Sequence, residues 1–229
     1  MLSVAVIIPA LNEAGNIGKL VQEVQSIAPL EVIVVDNNST DSTAEEARAA
    51  GAIVVIASQR GYGYACAAGV SAAQNADVLV FMDGDYSFSP ADLPLLLSRI
   101  FEDQADMVLG SRELGIMESG AMPPHQRFGN WLVARLMNRL YRLAITDLGP
   151  YRAIRRQLLN ELDMREMTYG WPTEMIVKAA RVGARIVEIP VSYKSRRFGS
   201  SKVSGTVRGT ILAAWFILGV TFRYAWKNQ

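Results

Sequence analysis

The chain has 229 residues, half of them hydrophobic, with 23 Lys and Arg against 22 Asp and Glu. This composition is typical of a globular protein with one large or two small domains, and it excludes collagen, coiled-coil and disordered chains. No apolar run reaches the roughly 18 residues of a spanning helix. With one cysteine and no leader-like start, we expect a reduced, cytoplasmic protein without a nucleic-acid partner.

The first 110 residues alternate short β-branched runs with longer helical segments. The predicted strands are Val4–Ile8, Glu31–Val35, Ala52–Ile56, Val78–Met82 and Met107–Leu109. The helices predicted between them are Ile17–Ile27, Ala44–Ala49, Ala65–Gln74 and Asp92–Phe101. This alternation predicts an α/β fold with a mostly parallel sheet and helices on both faces.

Beyond residue 110 the regular alternation of predicted strands and helices ends. Glycines and prolines between residues 113 and 127 predict a loop, which we interpret as a mobile lid. The elements predicted after it are a helix at Phe128–Leu143, a strand at Tyr151–Ile154, a helix at Pro172–Val182, and strands at Arg185–Ile189 and Val191–Tyr193. We find no linker, so residues 1–205 form one predicted domain, followed by an apolar and basic helix over 206–229.

Polar residues follow each of the first five predicted strands. These segments are 9–13, 36–41, 59–63, 83–87 and 110–112. In an open α/β sheet, ligands bind outside the carboxyl ends of the strands, so these segments are expected to surround one site.

The sharpest motif is Asp83-Gly84-Asp85, which follows a strongly apolar strand. Two carboxylates flanking a glycine suit a hard divalent cation that also takes phosphate oxygens, although a simple tight turn is the alternative. The sequence matches neither the dinucleotide-binding motif nor the P-loop motif. Gly61-Tyr62-Gly63 reaches Cys66 where the third glycine would stand, and a Gly-Lys-Ser/Thr sequence is absent.

The motifs in this order resemble the family 2 glycosyltransferases of the GT-A fold, in the branch of dolichol- or polyprenyl-phosphate sugar synthases. The residues that carry the resemblance are Pro9-Ala10-Leu11-Asn12-Glu13, the segment from Asp36 to Asp41, Asp83-Gly84-Asp85, Gly110-Ser111-Arg112, and Arg197 with Gly199-Ser200-Ser201-Lys202. It covers roughly residues 3 to 205. It implies inverting transfer of a hexose from a GDP-mannose or UDP-glucose type donor to a polyprenyl or dolichyl phosphate, with Mg²⁺ or Mn²⁺.

The resemblance also implies roles by position. The nucleotide-binding residues would be Pro9, Leu11, Glu13, Asp36, Arg60, Gly63 and Asp83. Asp83 and Asp85 would bind the metal, and Arg112 would stabilise the departing diphosphate. The chain departs from the family at Asn37, where a second acid is frequent, and at Ser87, where glutamine is frequent.

The acceptor site is expected to be cationic. Arg197, Ser201 and Lys202, joined by Arg152, would bind an acceptor phosphate, although a solvated basic loop is the alternative for the late cations. An anionic phosphate requires no general base. A hydroxyl acceptor, which is the alternative function, would require one, and the candidates are Asp147 and Glu174. A nucleotide-sugar binder without turnover is a third hypothesis.

The last 41 residues, from Ile189 onward, contain seven Lys or Arg and no acid, which indicates an anionic partner. Within them, Gly209–Phe222 is an uncharged stretch that would reach about 21 Å as a helix, short of the roughly 30 Å hydrocarbon core. We expect peripheral contact with the cytoplasmic face of a membrane through Trp215, Tyr224 and Trp226. Packing on the domain or against a second copy is the alternative.

Overall fold

The computed structural model describes residues 2–28, 30–196 and 207–225, with the backbone alone for residues 207–213. Within these ranges, seven strands form one sheet: β1 (Val4–Ala10), β2 (Glu31–Asp36), β3 (Ile53–Ile56), β4 (Val78–Phe81), β5 (Met107–Ser111), β6 (Arg152–Arg155) and β7 (Ile186–Pro190). The helices are α1 (Ile17–Ile27), α2 (Thr43–Ala49), α3 (Tyr62–Ala72), α4 (Leu93–Phe101), α5 (Pro124–Tyr141), α6 (Arg156–Glu161), α7 (Trp171–Arg181) and α8 (Val207–Arg223).

The strand order is β3-β2-β1-β4-β6-β5-β7. The strands β1, β2, β3 and β4 are parallel, and β5 pairs in parallel with β7. Buried clusters cover both faces of the sheet: Ile7 and Ile33 belong to one, Ile8 and Val34 to the other. Burial on both faces explains the continuous apolar runs in the sequence. The predicted mostly parallel sheet flanked by helices is confirmed.

Part of the later chain differs from the prediction. The strand β6 runs antiparallel between β4 and β5, and α6 follows it directly. Helix α5 starts at Pro124, inside the predicted loop, because a proline at a helix's first position loses no hydrogen bond. Instead of continuing a strand, Tyr193 forms isolated bridges with Phe88 and Met117.

The helix α3 carries the one cysteine of the chain, Cys66, which is fully buried among the apolar residues beneath the sheet. Burial raises the pKa of its thiol well above the ordinary value. Its small side chain therefore acts as a packing group.

The last helix, α8, packs against α5 and α7. Its Val220 and Thr221 are buried, and Tyr141 of α5 donates a hydrogen bond to the carbonyl of Thr221 at 2.5 Å. In contrast, Trp215 is 75% exposed. Across the described ranges, no helix combines the length and the hydrophobicity that crossing a bilayer requires. The predicted boundary near residue 205 lies outside the described residues.

Candidate active site

The carboxyl ends of β1, β2 and β4 surround a cleft of about 350 Å³. Parallel strands place these ends at one edge of the sheet, so residues distant in sequence meet there. Five of the seven residues predicted to bind nucleotide line the cleft, together with the metal candidate Asp85: Pro9, Leu11, Glu13, Arg60 and Asp83.

The two acidic residues after β4 are close enough to influence each other. Burial and the charge of Asp85 raise the pKa of Asp83 to about 7. Asp85 is buried, and its Oδ1 accepts hydrogen bonds from the backbone N–H and the hydroxyl of Ser87 at 3.0 and 2.6 Å. Such a pair of carboxylates is stabilised by a cation.

The chemistry of this pair fits a divalent metal that shares its ligands with a substrate. Among the residues that the structure describes, no group of three His, Cys, Asp or Glu side chains is arranged to hold a metal. Mg²⁺ is commonly bound by one or two carboxylates, with substrate phosphates and water completing the shell. Asp83 and Asp85 supply that number.

An arginine that the sequence analysis did not select enters the site. Arg196 contacts Asp85 Oδ2 through Nη2 at 2.8 Å and Glu13 Oε1 through Nη1 at 3.3 Å. The preceding segment is held at the cleft by the N–H of Lys194, which donates to the carbonyl of Ser87 at 2.8 Å. Arg197, Ser201 and Lys202, which were predicted to act there, lie outside the described residues.

Arg112, directly after β5, is held by a fork of hydrogen bonds to the buried carboxylate of Asp147. Asp147 Oδ2 accepts hydrogen bonds from the backbone N–H and Nε of Arg112, both at 2.8 Å, and Oδ1 accepts from Nη2 at 2.7 Å. Burial alone would raise the pKa of Asp147, but the hydrogen bonds and charge of Arg112 outweigh it and lower the pKa. The guanidinium also lies over the ring of Tyr193 at 5.1 Å.

Two residues predicted near the acceptor do not line the cleft. Arg152 is buried, donates to the carbonyls of Pro172 at 2.7 Å and Gly149 at 2.5 Å, and has its pKa lowered to about 10 by burial. Glu174 on α7 is 1% exposed, and its carboxylate accepts hydrogen bonds from neighbouring protein groups, including Tyr224 OH at 2.6 Å. Their roles toward an acceptor stay predictions.

The remaining two nucleotide candidates, Asp36 and Gly63, are not among the residues that line the cleft. Asp36 accepts a hydrogen bond from the N–H of Ser39 at 3.0 Å, and its neighbour Asn37 lines the cleft. A side chain on Gly63 would bring its Cβ within 2.5 Å of the Met167 Cα, so glycine is required by this close approach.

Two aromatic residues that line the cleft were given no individual role from the sequence, although Tyr62 belongs to the segment 59–63 expected near the site. Tyr62 donates from its hydroxyl to Asp83 Oδ1 at 3.3 Å, and Tyr169 also lines the cleft. The position of Tyr62 directly after Gly61, at a strand end, was the available signal.

Comparisons with known proteins identify the family of the chain. The family model for glycosyl transferase family 2 matches residues 5–163. An uncharacterized glycosyltransferase of Mycobacterium tuberculosis is 38% identical over 211 residues, covering 92% of this chain and 94% of the relative. The undecaprenyl-phosphate mannosyltransferase of Micrococcus luteus is 31% identical over 221 residues, with 91% and 90% covered.

The fold also matches a solved structure. The crystal structure of glucosyl-3-phosphoglycerate synthase from Mycobacterium tuberculosis, in complex with Mn²⁺, uridine diphosphate and phosphoglyceric acid, superposes with a TM-score of 0.78 at 20% identity. The match covers all of this chain and 80% of that one, which supports the GT-A architecture. With the family match over most of its length, the chain belongs to glycosyl transferase family 2 and is a glycosyltransferase.

Proposed function

We propose that this glycosyltransferase moves a hexose from a nucleotide diphosphate sugar to a polyprenyl or dolichyl phosphate, with inversion at the anomeric carbon. The donor nucleotide would occupy the cleft at the ends of β1, β2 and β4. Its diphosphate would lie beside Asp83 and Asp85, which would hold Mg²⁺ or Mn²⁺. Support for the metal comes from the carboxylate pair and from the Mn²⁺ and uridine diphosphate bound by the structural relative.

Arg112 and Arg196 would stabilise the leaving group together with the metal; Arg196 lines the cleft, whereas Arg112 lies beyond the residues that line it. The bound metal would supply positive charge to the departing diphosphate. Arg112 is fixed by Asp147 before any ligand arrives, so little reorganisation is needed when charge develops beside it. Arg196 already bridges Glu13 and Asp85, and it is the described late cation nearest to the metal candidates.

The observation that carries the assignment of a phosphate acceptor is that both candidate bases are engaged in hydrogen bonds and have lowered pKa values. Asp147 is held by the Arg112 fork with its pKa lowered. Burial would raise the pKa of Glu174, but hydrogen bonds from Tyr224 and neighbouring groups outweigh it and lower the pKa. A hydroxyl acceptor needs a free base, whereas a phosphate is already anionic at neutral pH. The mannosyltransferase relative from Micrococcus luteus adds support.

A lipid acceptor implies contact with the cytoplasmic face of a membrane. Besides Trp215 on α8, the neighbouring helix α5 exposes Phe128 (62%) and Trp131 (52%). Arg135 lies 5.8 Å from the ring centre of Trp131. Exposed aromatic rings beside arginines are typical of surfaces that bind membrane interfaces.

Flotation on anionic liposomes tests this contact. Trp131→Ser and Trp215→Ser together should release the protein from the vesicles, because two interfacial rings are lost. Ile56→Ser, which removes a comparably exposed apolar side chain (54%) on the edge strand β3, is the matched control and should leave flotation unchanged. Equal flotation of all three proteins would contradict membrane contact through these helices.

Product analysis tests the reaction. The protein is incubated with Mn²⁺, radiolabelled GDP-mannose or UDP-glucose, and either a polyprenyl phosphate or the same polyprenol without its phosphate. We expect a labelled lipid with the phosphate only, in which NMR shows the anomeric configuration opposite to that of the donor. Labelling of the polyprenol but not its phosphate would refute the assignment and favour a hydroxyl acceptor.

A further inference from the structure

Residues 166–170, which we call the wall segment, lie between α7 and the donor cleft. On the cleft side, this segment packs on the first turn of α3. A Cβ on Gly61 would lie 2.8 Å from the carbonyl oxygen of Met167, and the N–H of Tyr64 donates to that oxygen at 3.3 Å. Since Gly61 and Tyr169 line the cleft, the wall segment is one side of the donor site.

The opposite side of the wall segment packs on α8. A Cβ on Gly170 would lie 2.9 Å from Val220 Cγ2, and Val220 is 1% exposed. The wall segment is therefore enclosed between the last helix and the donor cleft. At this close packing, a displacement of α8 has little free volume in which to be absorbed.

One buried carboxylate fastens the wall segment to the end of α8. Glu174 Oε2 accepts hydrogen bonds from the N–H groups of Arg165 and Glu166, at 2.9 and 2.7 Å. Its Oε1 accepts from Tyr224 OH at 2.6 Å and pairs with Lys178 at 3.0 Å. Tyr224 directly follows α8, so a single side chain joins that helix to the segment that carries Tyr169.

We infer that Glu174 is a positioning residue that couples the end of α8 to nucleotide binding, through its hydrogen bonds to Tyr224 and to the wall segment. This inference rests on the proposed donor site. Because α8 also carries the exposed Trp215, the same connection would let a contact made at that helix change donor affinity.

A pair of single-atom variants separates coupling from simple anchoring of the helix. Tyr224→Phe removes the hydroxyl that Glu174 accepts. Tyr141→Phe removes the other tyrosine hydroxyl that anchors this helix, which donates to the Thr221 carbonyl and makes no hydrogen bond to the wall segment. Both variants lose one hydrogen bond at α8, so a merely structural role would affect them alike.

The measurement is calorimetric titration of the full chain with UDP and with GDP, each with Mn²⁺. Tyr224→Phe should bind the nucleotide that the wild type prefers about fivefold to tenfold more weakly, a typical size for coupling between sites. Tyr141→Phe should bind it as tightly as the wild type. Glu174→Gln keeps one oxygen for the wall segment but turns an NH₂ group toward Lys178 and Tyr224, so it should weaken binding at least as much as Tyr224→Phe.

Hydrogen exchange provides a second readout. The amides of Arg165 and Glu166 should exchange faster in Tyr224→Phe than in Tyr141→Phe, because Glu174 is less firmly held. Equal nucleotide affinity in the two tyrosine variants would overturn the inference alone. Failure of the wild type to bind either nucleotide would instead overturn the proposed function, and the inference with it.

Discussion

Replacing Asp147 by asparagine tests whether Arg112 is fixed by a buried fork. The side chain of Asp147 is fully buried, that of Arg112 is 15% exposed, and three hydrogen bonds join them. Asparagine keeps one acceptor oxygen but loses the charge, and it turns an NH₂ group toward the guanidinium. The variant therefore leaves a buried cation only partly paired.

The expected cost follows from this geometry. Removing one partner of a buried ion pair costs about 3–5 kcal/mol, and the oxygen that remains favours the lower end, about 3 kcal/mol. For a chain of this size, each kcal/mol lowers the melting temperature by about 2–4 °C, so we expect a fall of about 6–12 °C. Because the pKa of Asp147 is lowered, its stabilising effect is present above about pH 4 and is lost as pH falls through the lower folded-state value.

Scanning fluorimetry measures the change, and an exposed fork in the same molecule provides the control. Arg127 contacts both oxygens of Glu113 at 2.8 to 3.1 Å, but its side chain is 61% exposed. Glu113→Gln should cost about 1 kcal/mol or less. If Asp147→Asn melted within about 4 °C of the wild type, as this control is expected to do, the role given to the buried fork would be wrong.

Three further predictions concern the cleft. Asp85→Asn should abolish Mn²⁺-stimulated transfer with an unchanged circular dichroism spectrum, because an amide is a poor ligand for a hard cation, and retained transfer would contradict the metal assignment. Asp83→Asn should raise the melting temperature of chelator-treated protein at pH 8, and should raise it less at pH 5. The reason is that folding raises the pKa of the Asp83 carboxyl from 3.8 to about 7, so the charged group destabilises the fold increasingly as the pH rises through this interval. A lower melting temperature of the variant at pH 8 would refute this explanation. Gly63→Ala should lower stability by several kcal/mol in urea unfolding, because its Cβ would meet the Met167 backbone at 2.5 Å. Gly129→Ala on α5, with open space around the new Cβ, should instead add up to about 1 kcal/mol, and equal effects of the two alanines would contradict the packing argument.

The sequence predicted the first half of the fold well because its physics is local. Parallel strands buried on both faces must be apolar throughout, and β1, β2 and β4 begin within one residue of their predicted starts. The strand β6 was located, but its direction was not, since four residues carry no signal for parallel or antiparallel pairing. Its direction depends on how the chain returns to the sheet from α5.

The residues of the candidate site also fall into a predicted group and a group that the sequence did not predict. Residues that directly follow strands were found because the sheet brings strand ends together. Arg196 was not selected, since its partner Glu13 is 183 residues away and nothing in the basic run distinguishes it from Arg197. The packing of the wall segment was not predicted, because it depends on Gly61 and Gly63 meeting Met167, a contact between loops and helices that no periodicity encodes.

The burial of Cys66 makes the protein suited to site-specific labelling. A thiol that is fully buried, with its pKa raised by that burial, presents almost no thiolate to an alkylating dye at neutral pH. A cysteine introduced at an exposed position of α8 such as Ala214 would then be the only reactive one in the native chain, without prior removal of Cys66. A fluorophore attached there would report the surroundings of α8 directly as nucleotide or lipid is added.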